Sequence, residues 1–336
     1  MRKLATIKRI DSIIPIKGAD RIEAASVGGW TVVVSKGELA VGDLAAYIEI
    51  DSWVPHTLAP FLSPKGKTRT YLGVEGQRLR TVKLREQISQ GLLLSVSNYP
   101  ILVGKVEGED VTTLLGITLH EPPIPAVLAG VALGNFPHFI PKTDQERVQN
   151  LDLSTFAGLK FEVSEKLDGT SMTVYSFDAK CGVASKNLDL AQDTTNTLWV
   201  VAKKLGLVEL LRELTKAGHN YALQGELVGP SIQSNIYKLD RHDFYLFDVY
   251  DIDNQKYLRP DERIALATQY NVMHAPILAN AVYAPETHEA FMDMTDRMSL
   301  LNPSTDMEGL VFKCTSNQYI HFKVINNSLL LKVVDA

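Results

Sequence analysis

Cysteine is nearly missing from this chain of 336 residues, which holds only Cys181 and Cys314. Two thiols cannot build a disulfide framework or a four-cysteine zinc site, and a reducing, cytoplasmic setting is expected. No apolar run approaches the roughly 20 residues a membrane helix needs, so no membrane partner is expected. The first residues, MRKLATIKRIDS, carry basic side chains but no apolar core and no small-residue cleavage site, which argues against a secretory signal. Internal repeats and low-complexity tracts are missing as well. The histidines show no metal-ligand spacing, and His138, His242 and His321 read as surface or hydrogen-bonding residues. What remains is an ordinary globular composition, 45% hydrophobic and 22% charged, long enough for two domains.

Net charge is a modest −5, but it is unevenly placed. Residues 1–120 hold 15 Lys and Arg against 12 Asp and Glu, so the acidic excess lies in the remainder. Between 65 and 85, Lys65, Lys67, Arg69, Arg78, Arg80, Lys83 and Arg85 face a single acid, Glu75. Such a stretch can follow a phosphate backbone. A solvated strand-and-loop face is the competing reading.

Residues 1–120 read as β. Short apolar or alternating runs, such as ASVGGWTVVV, LAAYIEID and QGLLLSV, alternate with turn clusters such as SKGELAVGD. A five-stranded oligonucleotide-binding (OB-like) barrel is the first expectation and an SH3-like barrel the alternative. Residues 121–135 form a connector with Pro122, Pro123 and Pro125, and Pro137 and Pro141 follow it. The second domain is expected over 136–336. From about 151 the pattern is α+β with an antiparallel character. KFEVSEK, SMTVYSF, NYALQGELVG, DFYLFDVYDI, EGLVFKCT and YIHFKVI read as strands. Residues 192–217, RPDERIALATQY and ETHEAFMDMTDRMSLL read as helices.

Four segments place a lysine or a carboxylate in or just beyond a predicted strand: EKLDG (165–169), QGELVG (224–229), EGLVFK (308–313) and HFKVIN (321–326). A charge on an apolar strand is costly to bury alone, so these are candidates for a shared polar site between sheets. Taken singly, Glu226 or Glu308 reads first as a structural ion-pair partner, Phe247 reads equally as core, and Asp168-Gly169 is also a common turn.

In this order the segments resemble the covalent nucleotidyltransferases, the superfamily of polynucleotide ligases and mRNA capping enzymes. Lys166-Leu167-Asp168-Gly169 matches the nucleophile motif and Ser185-Lys186-Asn187 stands at the ribose-contact motif. Gly225-Glu226-Leu227, Phe244-Tyr245-Leu246-Phe247-Asp248, Glu308 to Lys313, and His321-Phe322-Lys323 match the motifs that follow. The resemblance implies an antiparallel-sheet, ATP-grasp-like ligase domain with flanking helices. It implies Lys166 as the nucleophile that takes AMP from ATP, with Lys323 in a catalytic role. It assigns nucleotide contacts to Glu165, Lys166, Lys186, Glu226, Phe247, Val311, Lys313 and Lys323. Phe247 is the expected adenine-stacking face, with Val311 on the other side. Mg²⁺ or Mn²⁺ is expected on Asp168, Glu226 and Glu308, with Glu226 also a candidate for the ribose hydroxyl. A free lysine has a pKa of about 10.4, so attack requires depression by burial or by nearby cations such as the metal and Lys323.

Only 13 residues follow Lys323, so no C-terminal barrel is expected, and the candidate barrel lies in front instead. That order resembles the RNA ligase 5 family. FPHFIPKTDQERVQN resembles the segment upstream of the nucleophile in RNA ligases, which makes Arg147 a catalytic candidate and Gln149 its companion. Two positions depart from the family pattern: Lys186 replaces an arginine and His321 replaces a lysine. The resulting expectation is a monomeric, ATP-dependent RNA ligase joining 3′-hydroxyl to 5′-phosphate ends in nicked duplex RNA or an RNA/DNA hybrid, acting in RNA repair. The alternatives are a DNA ligase, a capping guanylyltransferase, or a nucleic-acid-binding protein with an inactive transferase domain.

Overall fold

The structure, a computed structural model, describes residues 2–63, 67–121 and 126–332. Lys65 of the basic stretch and Pro122, Pro123 and Pro125 of the connector lie outside the described residues. The chain divides into two compact units, Met1–Pro123 with Leu330–Ala336, and Ile124–Leu329. Among the described residues no helix is long and apolar enough to cross a membrane.

In the first unit the strands are short and antiparallel. Leu44–Ile48 is flanked by Ala5–Arg9 and Leu92–Ser95. Its alternation feeds two cores at once, because successive side chains leave opposite faces of a strand. Ala46 and Ile48 join Ile7, Val54, Leu94 and Val111, while Ala45 and Tyr47 join Trp30, Val32 and Leu93. Ser12–Pro15, Ile22–Val27 and Trp30–Ser35 form a second sheet, and a third runs in the order Thr118–Leu119, Ser52–Pro55, Val74–Arg78, Arg69–Tyr71. Thr81–Leu84 and Gln87–Gln90 make a separate hairpin. Among the described residues these ladders stay open, so the expected barrel is not closed. Strands ending at Pro15 and Pro55 lack the N–H that would carry a ladder onward.

The second unit is built on two sheets. The larger runs in the order Ala132–Asn135, Leu188–Leu190, Lys180–Ala184, Thr170–Phe177, Tyr221–Val228, Asp243–Asp251, Lys256–Tyr257, all antiparallel. The smaller runs Glu146–Arg147, His321–Ile325, Gly309–Cys314, Lys160–Lys166, Ile277–Tyr283, with a parallel pairing only at the Glu146–Arg147 edge. The expected strands are thus present, with Lys180–Ala184 and Ile277–Tyr283 in addition.

The helical stretch at 192–217 resolves into Thr197–Lys204 and Leu207–Lys216, parted at Gly206 in a left-handed conformation. Asn196 caps the first through Leu198 N–H and Trp199 N–H. Leu198, Trp199, Leu207 and Leu211 bury their apolar stripe on Met172, Val174 and Leu223 of the larger sheet. Behind the smaller sheet Phe156 and Phe312 stack on Phe322, and Phe161 and Phe291 meet these rings edge-on. Phe291 ties the short helix His288–Asp293 into that cluster. The longer helix expected there ends early, where Thr295 Oγ1 donates to Met292 O and Asn326 Nδ2 donates to Thr295 O.

Candidate active site

Lys166 is the last residue of strand 160–166 and lies opposite Gly309 in register. That pairing sets Glu308 beside it, with Lys166 Nζ 2.5 Å from Glu308 Oε1. No side chain fits at 309, where a Cβ would stand 2.1 Å from the Val324 carbonyl oxygen. After Lys166 the chain turns at Leu167–Gly169 and enters strand 170–177. Gly169 passes so close to strand 221–228 that a Cβ would meet Leu227 O at 2.5 Å. Ser171 then faces Glu226 across the ladder. The two sheets thereby present Lys166 and Glu226 to one cavity of about 280 Å³. Glu165, Lys186, Phe247, Val311, Lys313 and Lys323 line it as well.

The charge around Lys166 is lopsided. Burial pulls its pKa down, but the Glu308, Glu226 and Asp168 carboxylates outweigh burial and hold the ammonium form, so the pKa is raised. Burial pushes Glu226 up to about 8, against Lys166, with Glu308 and Asp168 adding to the rise. Asp168 is pushed up to about 6 by burial and Glu308, opposed by Lys166 and a hydrogen bond from Ser234. Glu308 Oε2 is buried without a hydrogen-bond partner among the described residues. Three carboxylates that repel one another thus surround a single ammonium, although among the described residues no three Asp, Glu, His or Cys side chains are grouped so as to hold a metal ion by themselves.

Lys313, on the strand beside the cavity, sits in a different environment. Its Nζ donates to Phe247 O at 2.5 Å, pairs with Asp248 at 2.8 Å and lies 5.3 Å from the Phe247 ring centre. Phe247 itself falls in a register shift, between Asp248 opposite Gln224 and Leu246 opposite Gly225. This irregularity turns its ring to the cavity. Arg263, fully buried, pairs with Glu162 and Asp248 and donates through Nε to His274 Nε2 at 2.9 Å. Burial, then Arg263, lowers His274 to about 4, so it is neutral and Nδ1 donates to Ala275 O. Burial lowers Lys313 as well. Burial likewise lowers His321, so the imidazole at this position is neutral at pH 7 and brings no phosphate-attracting charge.

Thr143, Asp144 and Gln145 border the cavity. Thr143 Oγ1 meets Ser171 Oγ at 3.0 Å, and Asp144 pairs with Lys186 at 3.2 Å. Arg147, buried, is the register partner of Lys323 on the parallel edge. Gln149 is buried and donates to Met292 Sδ, away from the cavity lining. Glu165 is turned to Leu300, whose N–H donates to its Oε2 at 2.8 Å.

A family model described as RNA ligase matches residues 159–334. The chain belongs to the RNA ligase family. An OB-fold domain model matches residues 4–96 of this RNA ligase, so the N-terminal unit carries an OB-fold domain. Among solved structures the chain is similar to Naegleria gruberi RNA ligase. A lysine-to-methionine variant of that protein with AMP and Mn is 46% identical over 99% of each chain, with a TM-score of 0.92. A lysine-to-alanine variant with ATP and Mn is 45% identical over 98% of this chain and 99% of that one, TM-score 0.92. The same protein with PPi is 46% identical over 99% of both chains, TM-score 0.91. Among curated proteins no match is found.

Every expected nucleotide-contact residue of this RNA ligase lines the one cavity. Asp168, Glu308 and Arg147 stand behind the lining and reach it through Lys166 or Lys323. Sequence reasoning missed the segment after the Glu226 motif. There Tyr237 Oη accepts from Asp168 N–H at 2.6 Å and Gln233 Nε2 donates to Gly169 O at 3.2 Å. Asp144 and Arg263 were missed as well. The run GPSIQSNIYK carried a signal, since a buried-strand glutamate motif continues into seven polar or turn-forming residues of ten.

Proposed function

We propose that this RNA ligase seals RNA 3′-hydroxyl to 5′-phosphate ends at nicks in duplexes, through AMP carried on Lys166. The observation that carries the reading is the paired Lys166 and Glu308, 2.5 Å apart, opening on a cavity that also holds Glu226, Phe247 and Lys323. The nucleotide-bound Naegleria gruberi structures support ATP as the donor and a divalent ion such as Mn²⁺ or Mg²⁺ as the helper.

Phe247 stacks the adenine, and Val311 closes the other face. Lys186 reaches the ribose side and Lys323 faces the phosphates, with Arg147 supporting Lys323 from the adjoining strand. Lys166 first gives its ammonium proton to solvent water in the cavity, and its neutral amine then attacks the α-phosphorus. A phosphorus–nitrogen bond forms as the bond to the pyrophosphate oxygen breaks, and pyrophosphate leaves. Asp168, Glu226 and Glu308 would hold the divalent ion, which supplies positive charge that favours the neutral amine and offsets charge on the phosphoryl oxygens. The AMP then passes to the RNA 5′-phosphate, and the 3′-hydroxyl attacks that phosphate with release of AMP. The OB-fold domain grips the duplex, its Lys67 to Arg85 stretch lying along backbone phosphates and reading shape and 2′-hydroxyls over sequence.

Intact mass after incubation with ATP and Mg²⁺ tests this directly. An increase of about 329 Da, the nucleotide less water, is expected on the wild type and not on Lys166→Ala. An adduct from GTP alone would move the assignment to capping. Equal sealing of DNA and RNA 3′-hydroxyl ends at a nick would remove the RNA preference. No adduct with either nucleotide would leave a binding protein.

A further inference from the structure

Residues 229–242 form a loop that no recognised ligase motif covers, and it is folded under strain. Ser231, Gln233, Asn235 and Lys238 all hold left-handed backbone angles, between 44° and 62° in φ. Gly229 is also at positive φ, and a Cβ there would meet Arg241 O at 2.5 Å. Four such residues in one short loop persist only where the surroundings hold them, and they concentrate at functional sites. Here the loop is clamped at both ends. Asn235 exchanges hydrogen bonds with Leu239 and accepts from Leu239 N–H, His242 Nε2 bonds Pro230 O, and Asn302 Nδ2 donates to Ile236 O.

All three polar contacts the loop makes with the nucleophile turn converge on two residues. Tyr237 Oη accepts from Asp168 N–H at 2.6 Å, Ser234 Oγ donates to Asp168 Oδ2 at 3.4 Å, and Gln233 Nε2 donates to Gly169 O at 3.2 Å. Beneath the turn, Leu167 is buried in a small apolar cluster of its own with Val228, Tyr237 and Ala275. The Tyr237 ring fills that cluster while its hydroxyl reaches the backbone. The buried Leu167 side chain and the Tyr237 hydroxyl on Asp168 N–H thus fix the turn at two consecutive residues just after Lys166.

We propose that Tyr237 is a positioning residue for the nucleophile: its hydroxyl, held by a strained loop, fixes the Lys166–Asp168 turn so that the amine meets the α-phosphorus in line. Burial, and the carboxylates of Glu308, Glu165 and Asp168 nearby, hold the phenol far above its ordinary pKa, so it stays a neutral hydroxyl throughout the working pH range. Displacement of a reacting group by about 1 Å costs on the order of 100-fold in rate, so small movements of this turn register as chemistry. The inference rests on the lysine chemistry proposed above.

Tyr237→Phe keeps the ring in its cluster and removes only the acceptor. At saturating ATP and Mg²⁺, single-turnover transfer of AMP to Lys166 is expected to slow at least about tenfold. The ATP concentration for half-maximal rate should stay within about twofold of wild type, because the cavity walls are untouched. Ser234→Ala and Gln233→Ala should show smaller losses in the same rate constant. Hydrogen exchange of the Asp168 amide, which needs no catalysis, should accelerate at least about tenfold in Tyr237→Phe. Unchanged exchange overturns the inference whether or not the wild type takes AMP, and so does a loss that falls entirely on ATP affinity. Faster exchange with no adduct on the wild type would sink the lysyl-AMP reading and keep Tyr237 as the holder of the turn.

Discussion

The second unit contains two clusters of charge that differ in balance. Around Lys166 one ammonium faces the three carboxylates of Glu308, Glu226 and Asp168. Around Arg263 two cations, Lys313 and Arg263, meet two anions, Asp248 and Glu162. Both clusters are buried and burial disfavours charge in each, so the neighbouring charges decide the outcome. In the balanced set burial lowers Lys313 and leaves His274 neutral, and the groups close on one another. In the lopsided set Glu226 and Asp168 rise to about 8 and about 6, because negative charge is stacked where water is scarce. A set with matched charge largely neutralises itself, and its Lys313 holds Phe247 through the backbone carbonyl. A three-to-one set is short of positive charge, which suits a site that receives a cation with its substrate.

The largest expected effect separates the two lysines. Lys166→Ala should abolish the AMP adduct in intact-mass spectra, whereas Lys313→Met should leave an adduct that forms more slowly as Phe247 loses its anchor. An adduct on Lys166→Ala would end the assignment of the nucleophile.

The next sharpens the idea of balance. Arg263→Met leaves the buried Glu162 without its cation and Asp248 with Lys313 alone, and denaturant unfolding should show a loss of about 3–5 kcal/mol. A loss below about 1 kcal/mol would mean the network relaxes freely and does not brace the site.

The third concerns pH. Folded-state values for Asp168 and Glu226 lie above their ordinary range, so the folded chain holds protons that the unfolded chain has already released. Stability from these groups is present at low pH and is lost as pH rises, first through about 6 and then through about 8. Mg²⁺ should therefore raise the thermal midpoint more at pH 8 than at pH 6. An equal or smaller gain at pH 8 would remove Asp168 and Glu226 from the ion.

The smallest effect belongs to the exposed pair Lys186–Asp144, at 3.2 Å. Lys186→Ala should raise the ATP concentration for half-maximal adenylylation by about two- to fivefold and leave stability unchanged, since surface pairs contribute little. A hundredfold rise would give this lysine a role equal to the arginine it replaces.

How legible the site was depends on how its residues are connected. Lys166, Asp168 and Gly169 fall within four consecutive residues, and Glu308 immediately precedes the strand that carries Lys313, so short strings carry them. Strand alternation then aims them correctly, because a side chain's face follows from its position along the strand. Arg263 and Glu162 are 101 residues apart, and nothing in either local sequence names the other. Phe247 sits at a register shift that alternation does not foresee. The helix after Thr287 stops short because Thr295 and Asn326 bond across the fold, although its sequence is amphipathic beyond that point. Tyr237 reads as one more aromatic until the loop folds its hydroxyl onto Asp168 N–H.

By itself the sequence determined the β character of the N-terminal part, the antiparallel strands of the ligase part and the ordered ligase motifs, because each rests on local periodicity, turn chemistry or a short string. Tertiary structure alone decided which charges share a cavity, which carboxylates are pushed out of their ordinary range and which hydroxyl holds the nucleophile turn. Those properties depend on distance and on the exclusion of water, and neither is written in the order of residues along a chain.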